Sequence, residues 1–179
     1  MVSPRSVVNA LSLSRIGLGL AFVVCFQRTA MLLYISIALC IVALITDLLD
    51  GFLARRWHVA SVYGRLWDSL GDKSFYVGII IAFNARGFLS SLVSWGLIAR
   101  EISLYITRVL FIEKLPKLEQ IRPWTNWHGY FMYAVIVLGL LQMYGETHGL
   151  TLSLYLYMQV AAYSAFVFGV ASIVAFLKL

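Results

Sequence analysis

Six stretches of about 20 predominantly apolar residues, the length an α-helix needs to cross a bilayer, occupy most of this 179-residue chain. They fall at roughly 8–27, 30–50, 66–86, 88–112, 127–145 and 150–177. Only short polar breaks divide them: Arg28 with Thr29, the Arg55–Gly64 stretch, Asn84 to Gly87, the loop Glu113 to Pro123, and Gly145 to Gly149. Backbone in hydrocarbon must satisfy its own hydrogen bonds, which permits only helices or closed barrels, and runs of this length select helices. Charged residues make up 12% of the chain, where a soluble domain carries roughly a quarter. The expectation is an all-α integral membrane protein, one domain over 1–179, with six transmembrane helices.

Six spans put both ends of the chain on one side. With that side cytosolic, Arg5, Arg55, Arg56, Arg65, Lys114, Lys117, Arg122 and Lys178 lie inside, and Arg28 and Arg86 outside. That is the positive-inside pattern. The net charge of +6 therefore concerns topology and anionic lipid, and does not argue for nucleic acid. Cys25 and Cys40 lie in apolar runs and read as packing residues. Asn9, Ser12, Ser14 and Arg15 interrupt the first span, which lacks a small-residue cleavage site, so it reads as a retained helix rather than a removable signal. No internal repeat supports an inverted-repeat transporter. Ala161, Ala165 and Gly169 form a small-residue ridge that suits either a homodimer face or packing within the chain. His58, His128 and His148 fall in breaks between spans, show no metal-ligand spacing and receive no role.

The acidic residues carry the chemistry. Four of the eight lie in one 26-residue stretch, as Asp47, Asp50, Asp68 and Asp72. Separations of three and four return side chains to one helix face, so two carboxylates closing one helix and two opening the next can converge. Converging carboxylates in an apolar protein repel unless cations neutralise them. Hard divalent ions such as Mg²⁺ or Mn²⁺ are the natural partners, and they commonly take substrate phosphate oxygens as further ligands. Capping of helix ends is the plainer alternative, but an acid within a membrane span is a functional candidate by default. Gly51 follows Asp50, and Gly64 precedes Asp68 by one turn, where a missing side chain lets a ligand approach the backbone.

The order Asp47-x2-Asp50-Gly51-x2-Ala54-Arg55-x8-Gly64-x3-Asp68-x3-Asp72 resembles the signature of the CDP-alcohol phosphotransferase family, and all eight of its positions are filled. The resemblance implies six transmembrane helices around a cytosol-facing polar cavity, in a bacterial cytoplasmic membrane or a mitochondrial inner membrane. It implies that a CDP-linked donor, usually CDP-diacylglycerol, gives its phosphatidyl group to an alcohol and releases CMP. By the same resemblance Asp47, Asp50 and Asp68 hold two divalent ions with Asp72 also near them, and Asp72 is the general base, a metal ligand or both. Gly51, Ala54, Arg55 and Gly64 would then shape the CDP site.

The acceptor side is less marked. Lys73 adjoins Asp72 and either binds phosphate or offsets the acids. Arg100 lies mid-span, where an unpaired arginine costs about 3 kcal/mol or more. Glu101, the aspartates or a bound anion are its possible partners, and Arg108 follows on roughly the same face. Arg100-Glu101-Ile102 resembles a sequence in the fourth span of bacterial phosphatidylglycerophosphate synthases. Lys117, Arg122 and Thr125 are expected to complete a pocket for an anionic acceptor, which makes glycerol 3-phosphate the expected substrate. Phosphatidylglycerol (cardiolipin synthesis), inositol phosphate, serine and choline are the alternatives. A divalent-cation channel is the reading from a different class, though Arg55 and the paired glycines have no part in one. A homodimer in the bilayer completes the expectation.

Overall fold

A computed structural model describes residues 4–26, 29–57, 62–113, 122–150 and 153–178. These residues form six α-helices and no strand: α1 (Pro4–Cys25), α2 (Ala30–Arg56), α3 (Val62–Ala85), α4 (Ser91–Leu110), α5 (Arg122–Thr147) and α6 (Tyr155–Leu177). Each apolar stretch in the sequence corresponds to one helix. The helices overrun the apolar stretches at the polar end of the bundle. α2 continues six residues past Asp50, and α5 begins at Arg122, inside the segment that its prolines mark as a loop. Pro123 sits in the first turn of α5, where a missing N–H costs nothing.

Two helices, Ala30–Asp50 of α2 and all of α6, are long and apolar enough to cross a membrane. Large apolar side chains stay exposed along both, including Met31, Ile41, Ile45 and Leu48 on α2 and Val160 and Val167 on α6. In water such surface would be costly; in lipid it is ordinary.

α1 packs most extensively on α3 and next on α2, while α5 packs on α6; α4 touches α3 and α6. The crossing of α1 and α3 is close because glycines line it. A Cβ on Gly71 would collide with the backbone of Ser12, and one on Gly78 with the backbone of Gly19. Small residues let membrane helices approach in this way. A cluster of Phe22, Phe26, Phe83 and Phe88 fills the opposite end. There Gly87, at φ 71°, turns the chain out of α3: Gly87 N–H donates to Asn84 O and Phe88 N–H to Phe83 O. That is a Schellman cap with its hydrophobic contact.

The ridge on α6 is used within the chain. Ala161, Ala165 and Gly169 are buried, and Gly169 faces Arg100 of α4 and His128 of α5. The ridge therefore does not serve as a dimer face.

Candidate active site

Contacts among α1, α2 and α3 bring charged side chains from all three together. α1 supplies Ser12 and Arg15, and α2 ends with Asp47 and Asp50. The first turns of α3 carry Gly64, Asp68, Asp72 and Lys73. The four aspartates meet around a single guanidinium. Arg15 Nη1 donates to Asp47 Oδ1 at 2.6 Å and to Asp72; its Nη2 donates to Asp68 Oδ1 at 2.6 Å and to Asp50. Ser12 Oγ adds a hydrogen bond of 2.8 Å to Asp50 Oδ2. The two arms are held at this distance by the close α1–α3 crossing at Gly71, one residue before Asp72.

Burial is uneven. The side chains of Arg15 and Asp50 are 2% and 4% exposed, whereas those of Asp47, Asp68 and Asp72 are 39%, 44% and 37% exposed. The cluster is thus anchored from below by Arg15 and open above. One oxygen each from Asp47, Asp50 and Asp68 lies within 4.8 Å of the others, a spacing that could hold a metal ion. Three hard anionic oxygens suit Mg²⁺ or Mn²⁺. Asp72 adjoins that trio, sharing Arg15 Nη1 with Asp47. Beside the acids lies a cavity of about 210 Å³. Arg15, Asp47 and Asp72 form its polar end, and Leu44, Phe75 and Ile136 are among its apolar walls.

A second polar cluster adjoins the first through α3. Lys73 Nζ lies 3.0 Å from Glu101 Oε2. Glu101 Oε1 receives Arg100 Nη1, and Arg100 Nη2 donates to Ser172 Oγ at 3.0 Å. Arg100 thus takes Glu101 as its partner, the first of the three open to it in the sequence. Arg108 Nη1 donates to Ser69 Oγ at 2.9 Å, next to Asp68. Lys73 and Arg100 together outnumber Glu101, so this interior has a cationic excess.

His128 belongs to this cluster, and the structure corrects its assignment to a break without a role. It lies in α5, buried, with Nε2 at 2.9 Å from both Arg100 Nη1 and Glu101 Oε1. Its Nδ1 is 2.8 Å from Ala165 O. A carbonyl only accepts, so Nδ1 carries the proton. Gly169 makes room: a Cβ there would press on Arg100 Nε and His128 Nδ1. Arg15 was equally unassigned from the sequence, although a charged residue within the first span was a signal for it.

The remaining residues of the motif and of the acceptor set are less informative. Gly51, Ala54 and Arg55 continue α2, but their surroundings lie outside the described residues, as do Lys117, His58 and the side chain of Arg122. Gly64 sits in α3 one turn before Asp68. Thr125 is half-buried near the start of α5. His148 stacks on Tyr144 at 4.1 Å between ring centroids, far along α5 from His128.

The family model of the CDP-alcohol phosphatidyltransferases matches residues 5–175, nearly the whole chain. The chain belongs to that family. Among curated relatives, a CDP-diacylglycerol–glycerol-3-phosphate 3-phosphatidyltransferase of Mycoplasma pneumoniae is 48% identical over 56 residues, 31% of this chain and 25% of that protein. The protein of that name from Aquifex aeolicus is 31% identical over 111 residues, 61% of each chain. A human cardiolipin synthase (CMP-forming) is 30% identical over 115 residues, 62% of this chain and 36% of that enzyme. The chain thus spans about a quarter of the length of the first of these relatives and less than two thirds of the others. Within the family's frame, the all-helical fold with its apolar helices and the acidic group at Asp47, Asp50 and Asp68 is a membrane-associated architecture with a site that could take a metal.

Proposed function

We propose that this phosphatidyltransferase moves the phosphatidyl group of CDP-diacylglycerol to glycerol 3-phosphate, giving phosphatidylglycerophosphate and CMP. The observation that carries the reading is the meeting of Asp47, Asp50 and Asp68, with ligand oxygens within 4.8 Å of one another, in a chain of this family. Those three would hold a pair of divalent ions, Mg²⁺ or Mn²⁺. The chemistry such ions supply when bound is neutralisation of the diphosphate and of the departing CMP.

The chain's own residues would do the rest. Asp72 is open enough to meet substrate and shares Arg15 with the metal trio, and its carboxylate would take the proton of the acceptor hydroxyl. The cavity beside it, polar at one end and apolar along its walls, suits a lipid whose charged head lies at the aspartates. Gly51, Ala54, Arg55 and Gly64 would shape the site of the cytidine diphosphate. The cationic excess of Lys73 and Arg100 over Glu101 favours an anionic acceptor, with Arg108, Lys117, Arg122 and Thr125 around its entry.

Six spans, an active site facing the cytosol and a homodimer complete the reading. The bias of lysine and arginine toward the side that carries the aspartates supports the orientation. The likeness to cardiolipin synthases favours a second reading, in which phosphatidylglycerol is the acceptor. Purified protein incubated with CDP-diacylglycerol, Mg²⁺ and single acceptors separates them: glycerol 3-phosphate, phosphatidylglycerol, inositol phosphate, serine or choline. CMP release with glycerol 3-phosphate supports the first reading. Release only with another acceptor overturns it.

A further inference from the structure

We infer that Arg15 is a built-in counter-cation that weakens divalent-ion binding at the aspartates until the anionic donor arrives, so that metal and donor bind cooperatively. The inference rests on the reading of Asp47, Asp50 and Asp68 as metal ligands, and it concerns a residue outside the eight-position motif.

Geometry comes first. The Arg15 guanidinium reaches one oxygen of each of four carboxylates, and its side chain is 2% exposed. Gly71 seats α1 directly on α3 beside it, with Arg15 Nε within 3.4 Å of where a Cβ on Gly71 would stand. An arginine keeps its charge in any such setting. A fixed positive charge therefore stands within bonding distance of every acidic group that a metal would use.

Charge then decides the consequence. Four aspartates and Arg15 sum to three negative charges. Two divalent ions would carry the site to one positive charge, an excess set beside a buried guanidinium. A diphosphate carrying about two negative charges cancels that positive excess and leaves about one negative charge. Each partner thus binds better in the presence of the other, and by linkage the effect is reciprocal. Without Arg15 the aspartates would take two divalent ions at full neutrality, with no help from the donor.

The same charge has a structural use. In the metal-free protein Arg15 offsets repulsion among carboxylates that the helix geometry forces together. Its removal should cost stability only while the metal is absent.

The test titrates Mn²⁺ by electron paramagnetic resonance into detergent-purified wild type, Arg15→Gln and Arg15→Lys, with and without CDP as a soluble probe of the donor. Thermal melts in EDTA and in Mn²⁺ run in parallel. Arg15→Gln is expected to bind Mn²⁺ roughly tenfold tighter or more without CDP, and to lose most of the gain that CDP gives the wild type. Arg15→Lys should stay near wild type, and Arg15→Gln should melt earlier in EDTA yet recover in Mn²⁺. Equal or weaker Mn²⁺ affinity in Arg15→Gln, or an undiminished gain from CDP, overturns the inference while leaving the metal site standing. No Mn²⁺ binding to wild type or to either variant overturns the metal reading, and the inference with it. Should Arg15→Gln fail to fold, Arg15→Lys decides: it keeps the charge but not the fork, so a large fall in its Mn²⁺ affinity shows Arg15 to be a scaffold for the carboxylates and overturns the inference.

Discussion

At the scale of single residues, the division between Asp72 and its three neighbours makes the sharpest prediction. Asp72→Asn is nearly isosteric and keeps an oxygen for Arg15, so the fold should persist. Loss of a general base lowers rates by about 10²–10⁴, and kcat for CMP release is expected to fall by that order with little change in Tm. A wild-type rate would remove Asp72 as the base. Arg100 has a different part. Its guanidinium is held by Glu101, His128 and Ser172, so in the proposed acceptor site it would act from within a fixed network. Arg100→Ala should raise KM for glycerol 3-phosphate more than KM for CDP-diacylglycerol, as measured by varying each in turn. Equal changes would count against an acceptor pocket here. His128 escaped notice in the sequence because one histidine beside a span end has no ligand spacing; only its distance to Arg100 and Glu101 gives it a place.

At the scale of helices, hydropathy located every element, and tertiary context set the boundaries. α2 runs on to Arg56 and α3 begins at Val62, because helical hydrogen bonding does not stop where the hydrocarbon does. The i, i+3 and i, i+4 spacings placed each aspartate pair on one face, and both faces do meet. What spacing does not express is how close the helices come. Gly71 controls that distance for α1 and α3. Gly71→Leu should push α1 away, separate Arg15 from Asp68 and Asp72, and cost about 1–3 kcal/mol from overpacking. A lowered Tm in EDTA, with Mn²⁺ binding no weaker than in the wild type, is the expected outcome. An unchanged melt with full activity would show that the crossing is not needed.

At the scale of the whole molecule, metal binding should couple chemistry to stability. A ligand that binds only the folded state raises stability by mass action. EDTA is therefore expected to stop CMP release and lower Tm together, and Mg²⁺ or Mn²⁺ to restore both. Restoration of Tm without activity would separate a structural ion from a catalytic one. The two polar clusters share α3, through Asp72 and Lys73, so the donor and acceptor ends of the proposed site stand side by side on one helix.

The chain's order alone determined the helices, their number among the described residues and the convergence of four carboxylates, because hydropathy and helical period are local properties. Only the packing of helices distant in sequence decided what faces those carboxylates. Arg15 lies 32 to 57 residues from the aspartates it joins, and Arg100 lies 72 from Ser172. Such pairings depend on which helix lies beside which and how nearly, and small residues at the crossings settle that through contact, not through periodicity.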